Sequence, residues 1–256
     1  MKRGFYAFVK RFFDIVLSFL AIIILSPILI ITYLLSLLFL RGNPIFKQYR
    51  PGKNGKIFPL YKFRSMTNKK DKNGELLPDA QRITWWGKFI RKTSIDELPQ
   101  LFNIFVGDMS IIGPRPRLVK DMIFYNEEVM KAYCVRPGLT GPAQVYDRKS
   151  ELSWETVFLN DLNYAKNISF KTDFKLFMGT FISIFKGGAA SGQENTNETK
   201  RREYYYGDYL LKTNQITQAQ YDEGHRIASE IEETGKRVVV RSLITEEQTE
   251  VEETVA

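Results

Sequence analysis

The sequence predicts a mixed α/β fold that is mainly helical. A membrane-embedded helix-break-helix precedes a compact cytosolic domain with a few short strands and amphipathic interfacial helices, and a small helical C-terminal appendage follows. Three observations predict it. One apolar run, 15–40, is uncharged and contains Ser26-Pro27 at its centre. The segment after it alternates between short apolar-basic runs and helical 3/4 spacings, separated by Gly/Pro-rich loops. Beyond about residue 187 the composition shifts to small and polar residues.

Composition narrows the chemistry. The chain has 256 residues, 44% hydrophobic and 26% charged, so it is neither disordered throughout nor, at a mean hydropathy of −0.25, a multi-span transporter. A single cysteine, Cys134, excludes an intramolecular disulfide framework. A single histidine, His225, lies in the polar tail, so His-based hydrolysis and multi-His zinc sites are excluded in the body. Catalysis must use carboxylates, Lys, Arg or a hard cation such as Mg²⁺. The net charge of +8 is divided unevenly: residues 195–256 carry 8 basic and 13 acidic residues, leaving 1–194 at +13. A basic body suits phosphate-rich partners, whether nucleic acid, anionic lipid or a nucleotide-linked substrate.

In the N-terminal element (residues 1–42), Pro27 lacks an amide proton and leaves the carbonyl of Ile23 without its helical donor, which predicts a kink. The apolar arms on either side are each roughly 18–20 Å long as helices, short of a bilayer core of about 30 Å. Lys2, Arg3, Lys10 and Arg11 precede the run, and Arg41, Lys47, Arg50, Lys53 and Lys56 follow it. Positive charge at both ends places both in the cytoplasm. A re-entrant hairpin satisfies both features, and a single spanning anchor is the other reading that the residues leave open.

The cytosolic domain is expected over 43–187. Residues 44–66 read as two strands around a Gly-Lys-Asn-Gly turn at 52–55. Residues 67–82 form a surface loop, and 83–106 are helical with carboxylates heading an apolar 3/4 pattern. Residues 107–117 are an irregular loop, 118–133 return to helix, and 136–148 form another Gly/Pro loop leading into a short strand. A helix follows over 151–166. Residues 170–186 combine lysines with a heavy aromatic load, as in a helix at a membrane surface or one buried in a core. Residues 188–200 form a linker. Over 201–256 two short helices, the second capped by Thr217, precede a disordered end.

Four short elements can carry chemistry. Asp96-Glu97 heads a helical segment, where paired carboxylates commonly serve as caps. They can also supply a nucleophile and a Mg²⁺ ligand. Lys62 and Arg64 share one face of a strand, either as a solvated edge or as paired cations for phosphates. Arg115 stands between Pro114 and Pro116, presented from a stiff backbone. Arg91 lies five residues before Asp96, and Arg136 opens the loop that leads to Arg148. Lys62, Arg91 and Arg115 can surround a diphosphate while the carboxylates supply attack and metal. Taken with the membrane element, this suggests phosphoryl transfer between a nucleotide-linked substrate and a lipid.

The motifs KFRSM at 62–66, DELPQLFN at 96–103, GDMSIIGPRP at 107–116 and RPGLTGPAQV at 136–145 closely resemble the bacterial sugar transferase family, the monotopic polyprenol-phosphate phosphoglycosyl transferases. The match covers about residues 8–187. The resemblance implies a re-entrant helix broken at Ser26-Pro27, at the cytoplasmic face of the bacterial inner membrane. It implies transfer of a sugar-1-phosphate from a UDP-sugar to undecaprenyl phosphate with release of UMP. Asp96 would be the nucleophile, forming a phosphosugar-aspartyl intermediate, with Mg²⁺ near Asp96 and Glu97. Lys62, Arg91 and Arg115 would face phosphate and Arg148 the nucleotide, with Arg64, by strand alternation, a further phosphate candidate and Arg136 a further nucleotide candidate. This chain departs from the family in having Pro142 after LTG and Tyr146-Asp147-Arg148-Lys149 in place of an Asn-Gly-Arg-Asn run. Residues 195–256 have no counterpart in the minimal family and could contact another subunit or a downstream glycosyltransferase. A membrane-anchored scaffold without catalysis is the alternative, and the intact set Lys62, Asp96, Glu97 and Arg115 argues against it. Nucleic-acid binding is not expected, because no stacking motif or recognition helix accompanies the basic residues.

Overall fold

The computed structural model describes residues 3–40, 42–146, 153–185 and 205–235. Arg148, the 188–200 linker and the C-terminal end beyond Gly235 lie outside the described residues. Helix α1 (Arg3–Leu40) is followed by strands β1 (Ile45–Pro51) and β2 (Ile57–Phe63), which pair antiparallel from Ile45↔Phe63 to Pro51↔Ile57 around a 3₁₀ turn at Lys53–Gly55. Helices α2 (Asp79–Arg82), α3 (Trp85–Lys92) and α4 (Gln100–Val106) come next, then β3 (Ser110–Ile112), α5 (Val119–Met122) and α6 (Glu127–Met130). Strand β4 (Gly138–Thr140) pairs parallel with β3 and leads into α7 (Pro142–Tyr146), α8 (Trp154–Lys166) and α9 (Phe170–Phe185). Two further helices, α10 (Tyr206–Lys212) and α11 (Gln218–Thr234), end the described chain. The architecture is mainly helical with short strands, as the sequence predicts.

Helix α1 runs without a gap through Pro27. The carbonyl that Pro27 leaves without an amide is not orphaned: the Ser26 hydroxyl donates to Ile23 O at 2.7 Å. This explains the Ser-Pro pairing, since the serine replaces the missing backbone donor. The helix is amphipathic in the inverse of the soluble sense. Its polar residues Asp14, Ser18, Thr32 and Ser36 are buried against the body, whereas Phe8, Ile24 and Leu38 are 72–74% exposed. An apolar outward face of this length fits a lipid surface.

The body grips α1 along its whole length. Arg11 donates to Ile104 O and Phe105 O, and Asp14 accepts from Ser110 Oγ and the Ile111 amide. Ala21, Ile22 and Leu25 pack on a core of Phe58, Leu60, Leu101, Ile104 and Met109. Near the C-terminal end the Trp86 indole donates to Ser36 Oγ at 2.9 Å, and Phe39 meets Trp85 and Trp86 edge-on and tilted. Both ends and the middle of α1 therefore contact one body, a geometry in which the apolar run does not project away from it.

The structure differs in detail from the sequence expectation: helix α2 lies within the expected 67–82 loop, and α7 stands where the 136–148 loop is expected to lead into a strand. The helical stretch over 83–106 is broken into α3, a 3₁₀ turn at Ile95–Glu97, and α4. The break falls at Ser94, whose left-handed φ of 58° ends α3, and at Pro99, which cannot donate into a continuing helix. The two Gly/Pro loops also each contain one strand of the β3–β4 pair. Their glycines explain how: a Cβ on Gly138 would lie 2.1 Å from Gly113 N, and one on Gly141 would lie 1.9 Å from Gly113 O. Only bare backbones can approach this closely.

The largest core joins α5, α8 and the C-terminal pair, with Val119, Met122, Phe124, Tyr125, Phe158, Leu210, Ala228 and Ile231 buried together. A Cβ on Gly207 or Gly224 would fall 2.7 or 2.3 Å from the Phe124 ring, so both glycines make room for that side chain. Thr217 caps α11 in a reciprocal capping box with Gln220. Helix α9 buries Asp173 and Leu176 and exposes Phe170, Phe174, Phe177 and Phe181, a second outward apolar stripe.

Candidate active site

The site is built on β2 and on the turn before α4. Asn103, fully buried on α4, accepts from the Tyr61 amide at 3.1 Å and donates to Pro59 O at 2.7 Å. This clamp fixes α4 to β2 and sets the Asp96-Glu97 turn over Lys62. Lys62 Nζ then donates to Glu97 Oε1 at 2.8 Å, and an Arg115 terminal nitrogen lies 3.7 Å from the same oxygen. Arg115 owes its position to its neighbours: Pro114 O accepts from the Gly138 amide at 2.8 Å, and Pro116 O accepts from Arg50 at 3.3 Å. The residue between two fixed φ angles is thus held at both flanking carbonyls.

Arg91 donates through Nε to the buried Ser65 Oγ at 2.7 Å. It reaches Ser65 because α3 lies directly on that strand end, where Gly87 faces Ser65 O so closely that a Cβ would fall 1.8 Å from it. Lys62 and Arg91 both act electrostatically on Asp96. Three predicted cations, Lys62, Arg91 and Arg115, are therefore gathered around the carboxylate pair. Two others are not. Strand β2 ends at Phe63, so Arg64 leaves the alternation, and its guanidinium lies against Gly42 at the end of α1. Arg136 donates through Nε to Gly107 O at 2.7 Å.

The two carboxylates differ in state. Asp96 is 6% exposed, and its Oδ1 is buried with no hydrogen-bond partner among the described residues. Burial, and then the adjacent Glu97 charge, push its carboxyl up to about 6, against the pull of Lys62 and Arg91. For Glu97, burial also acts upward, but Lys62, Arg115 and Arg50 outweigh it and hold the carboxyl below its ordinary value. Glu97 is the structural anion of the pair, and Asp96 is the one carrying a poorly solvated charge.

A small cleft opens on the Glu97 side, lined by Arg50, Lys62, Glu97, Gln100, Arg115 and Leu139 among others. Asp96 sits behind this wall. Arg50 is a site residue that sequence reasoning counted only as charge flanking the membrane run. It is half-buried, its buried Nε has no partner among the described residues, and desolvation lowers its guanidinium to about 10. Its signal in the sequence was weak, a basic residue on a strand, because only the fold brings it next to Pro116 and into the cleft that Lys62 also lines. The floor of the cleft is apolar and adjoins the membrane helix: Leu60 and Leu139 belong to the cluster that packs on Ala21, Ile22 and Leu25.

Among the described residues no group of three or more His, Cys, Asp or Glu side chains could hold a metal. A two-carboxylate site still fits Mg²⁺, which takes one or two protein carboxylates and completes its shell with phosphate oxygens and water. The unpartnered Asp96 Oδ1 beside Glu97 is the donor such a site would use.

The bacterial sugar transferase family model matches residues 5–187. The chain is 42% identical over 188 residues to an uncharacterized sugar transferase, EpsL, of Bacillus subtilis, covering 73% of this chain and 91% of that protein. It is 41% identical over 201 residues to undecaprenyl-phosphate galactose phosphotransferase of Salmonella typhimurium, covering 72% of this chain but 42% of that longer protein. It is 38% identical over 187 residues to UDP-glucose:undecaprenyl-phosphate glucose-1-phosphate transferase of Klebsiella pneumoniae, covering 70% and 40%. These matches span the membrane helix, the carboxylate turn and both glycine loops, so the chain belongs to the bacterial sugar transferase family.

Proposed function

We propose that this chain transfers a sugar-1-phosphate from a UDP-sugar to undecaprenyl phosphate at the cytoplasmic face of the inner membrane, the first membrane step of a lipid-linked glycan. The observation that carries the proposal is the buried Asp96 carboxylate, whose Oδ1 has no hydrogen-bond partner among the described residues and whose affinity for a proton is raised, beside Glu97, Lys62, Arg91 and Arg115. The named activities of the Salmonella and Klebsiella relatives point the same way.

The steps follow from the residues. Lys62, Arg50 and Arg115 present positive charge to a diphosphate in the cleft. As phosphate oxygens draw Lys62 and Arg115 away from Glu97, the wall in front of Asp96 opens. An Asp96 oxygen attacks the β-phosphorus, a new P–O bond forms, and the bond from that phosphorus to the oxygen bridging to the α-phosphate breaks, so UMP leaves with the electron pair. An oxygen of the lipid phosphate then attacks the same phosphorus, the aspartyl ester bond breaks, and Asp96 recovers its carboxylate. A carboxylate that is poorly solvated is a stronger nucleophile than one in water, which is the use of the Asp96 environment. Asp96 and Glu97 would hold Mg²⁺, which supplies charge neutralisation at the diphosphate when bound.

The re-entrant topology belongs to the same proposal. It is supported by the contacts of both ends of α1 with one body and by Ser26-Pro27 at the centre of the apolar run.

The test is UMP release by the detergent-purified protein over a panel of UDP-sugars with undecaprenyl phosphate. Wild type should release UMP in a Mg²⁺-dependent manner, and a trapped sample should show a phosphosugar mass on the peptide containing Asp96. Asp96→Asn should lose both. Substantial UMP release by Asp96→Asn would refute the nucleophile assignment.

A further inference from the structure

A second cavity, of about 280 Å³, shares no lining residue with the cleft. Its wall carries four cations, Lys10, Arg11, Lys53 and Arg136, and one carboxylate, Asp14, with Cys134 at its edge. Two of the cations are already engaged. Lys10 is held by Asp173 at 2.6 Å, and Asp173 also accepts from the hydroxyls of Tyr6 and Tyr164. Arg11 uses both terminal nitrogens on the carbonyls of Ile104 and Phe105, at 2.6 and 2.8 Å, and feels Asp14 and Asp108. Asp14 is itself satisfied by Ser110 and the Ile111 amide.

Arg136 and Lys53 are different. Arg136 uses only Nε, on Gly107 O, and among the described residues no carbonyl or carboxylate takes its two terminal nitrogens. Lys53 is exposed on its 3₁₀ turn and likewise has no acidic partner among the described residues. Arg136 also lies close enough to Arg11 for the two guanidiniums to repel. An anion with several oxygens would take the free guanidinium fork and the lysine and relieve that repulsion. The cavity also reaches the level of the lipid. Gly4 and Ala7 of α1 form its rim, with open space over Gly4, and the neighbouring Phe5 and Phe8 are 59% and 74% exposed on the apolar face.

We infer that this cavity is a phosphate-binding site separate from the cleft, held by Arg136 and Lys53 and placed to take the headgroup of an anionic phospholipid. It requires α1 to lie in lipid and does not rest on the transfer reaction.

Cys134 is the only cysteine and is exposed at the site, so its alkylation by neutral iodoacetamide reports occupancy. The full chain is labelled in nanodiscs of phosphatidylcholine, in nanodiscs containing phosphatidylglycerol, and in detergent with and without inorganic phosphate. A filled site should slow labelling about threefold or more, in proportion to the fraction occupied. Slowing by phosphatidylglycerol alone assigns the lipid as the source, and equal slowing by inorganic phosphate in detergent assigns the free ion. Lys53→Gln, an exposed change that leaves the fold intact, and Arg136→Lys, which keeps a donor for Gly107 O, should each reduce the protection. Equal labelling rates in all four conditions would overturn the site, as would full protection retained by both variants.

Discussion

Replacing Asp96 by Asn removes an ionisable group from a position where ionisation is costly, and the cost can be measured without substrate. The carboxyl has an ordinary value of 3.8 and is raised to about 6 in the fold, chiefly by burial. The folded state therefore holds the proton more tightly than the unfolded chain does. Below pH 3.8 both states are protonated and nothing is lost. Between the two values the unfolded chain ionises first and stability falls, and above about 6 the loss is complete. At about 1.4 kcal/mol per pK unit the full penalty is about 3 kcal/mol at pH 8, and about 1.6 kcal/mol is already present at pH 5. Asn carries no such penalty, but its amide has its own contacts, which do not change with pH. The informative quantity is thus how much the stability difference between Asp96→Asn and wild type grows from pH 5 to pH 8. It should grow by about 1.4 kcal/mol in favour of the variant, or roughly 3–5 °C in unfolding temperature for a chain of this size. Thermal unfolding in micelles, followed by intrinsic fluorescence at both pH values, measures it. A difference that stays constant across that range would show that burial does not raise the Asp96 carboxyl, and the account of its reactivity would lose its physical basis.

Further consequences can be checked alongside. Because the ionised Asp96 attacks, kcat/KM for UMP release should fall about tenfold per pH unit below about 6, and a flat profile down to pH 5 would contradict an Asp96 nucleophile of that pKa. Gly87→Ala would press a methyl into Ser65 O, displace α3 and carry Arg91 with it, costing about 2 kcal/mol or more in stability and lowering UMP release; a variant that matches wild type in both would show that α3 is not held at that distance. Arg117 is half-buried in the field of Asp121 and the fully buried Asp161, 5.5 Å from the Trp154 ring, so Arg117→Leu should cost about 3–5 kcal/mol in denaturant unfolding by leaving Asp161 uncompensated. Adding Asp161→Leu should recover much of that loss. Pro27→Ala restores a backbone donor to Ile23 O, and a re-entrant α1 should straighten so that protease protection of the two termini is no longer the same.

The sequence alone determined the family to which this protein belongs. The motifs around Lys62, Asp96, Arg115 and Gly138 identified the family, because their order and spacing survive whatever the fold does with them. The apolar run and its central Ser-Pro were equally legible, since a missing amide and a 26-residue uncharged stretch are local properties. Local patterns also placed the β1–β2 hairpin and the Thr217 cap. What only the tertiary structure decided is which cations meet the carboxylates. Lys62 and Arg64 look equivalent by strand alternation, yet the strand ends between them, and Arg64 turns to Gly42 while Lys62 reaches Glu97. Arg136 donates to Gly107 O and lines a cavity that shares no residue with the cleft at Lys62, a grouping that no local pattern records. Arg50 joined the cleft next to Pro116, and Asp96 was buried beside Glu97 on a turn set by the left-handed Ser94 and the asparagine clamp at Asn103. The burial that sets the Asp96 proton affinity is a sum over neighbours far apart in the chain, and no local pattern records it.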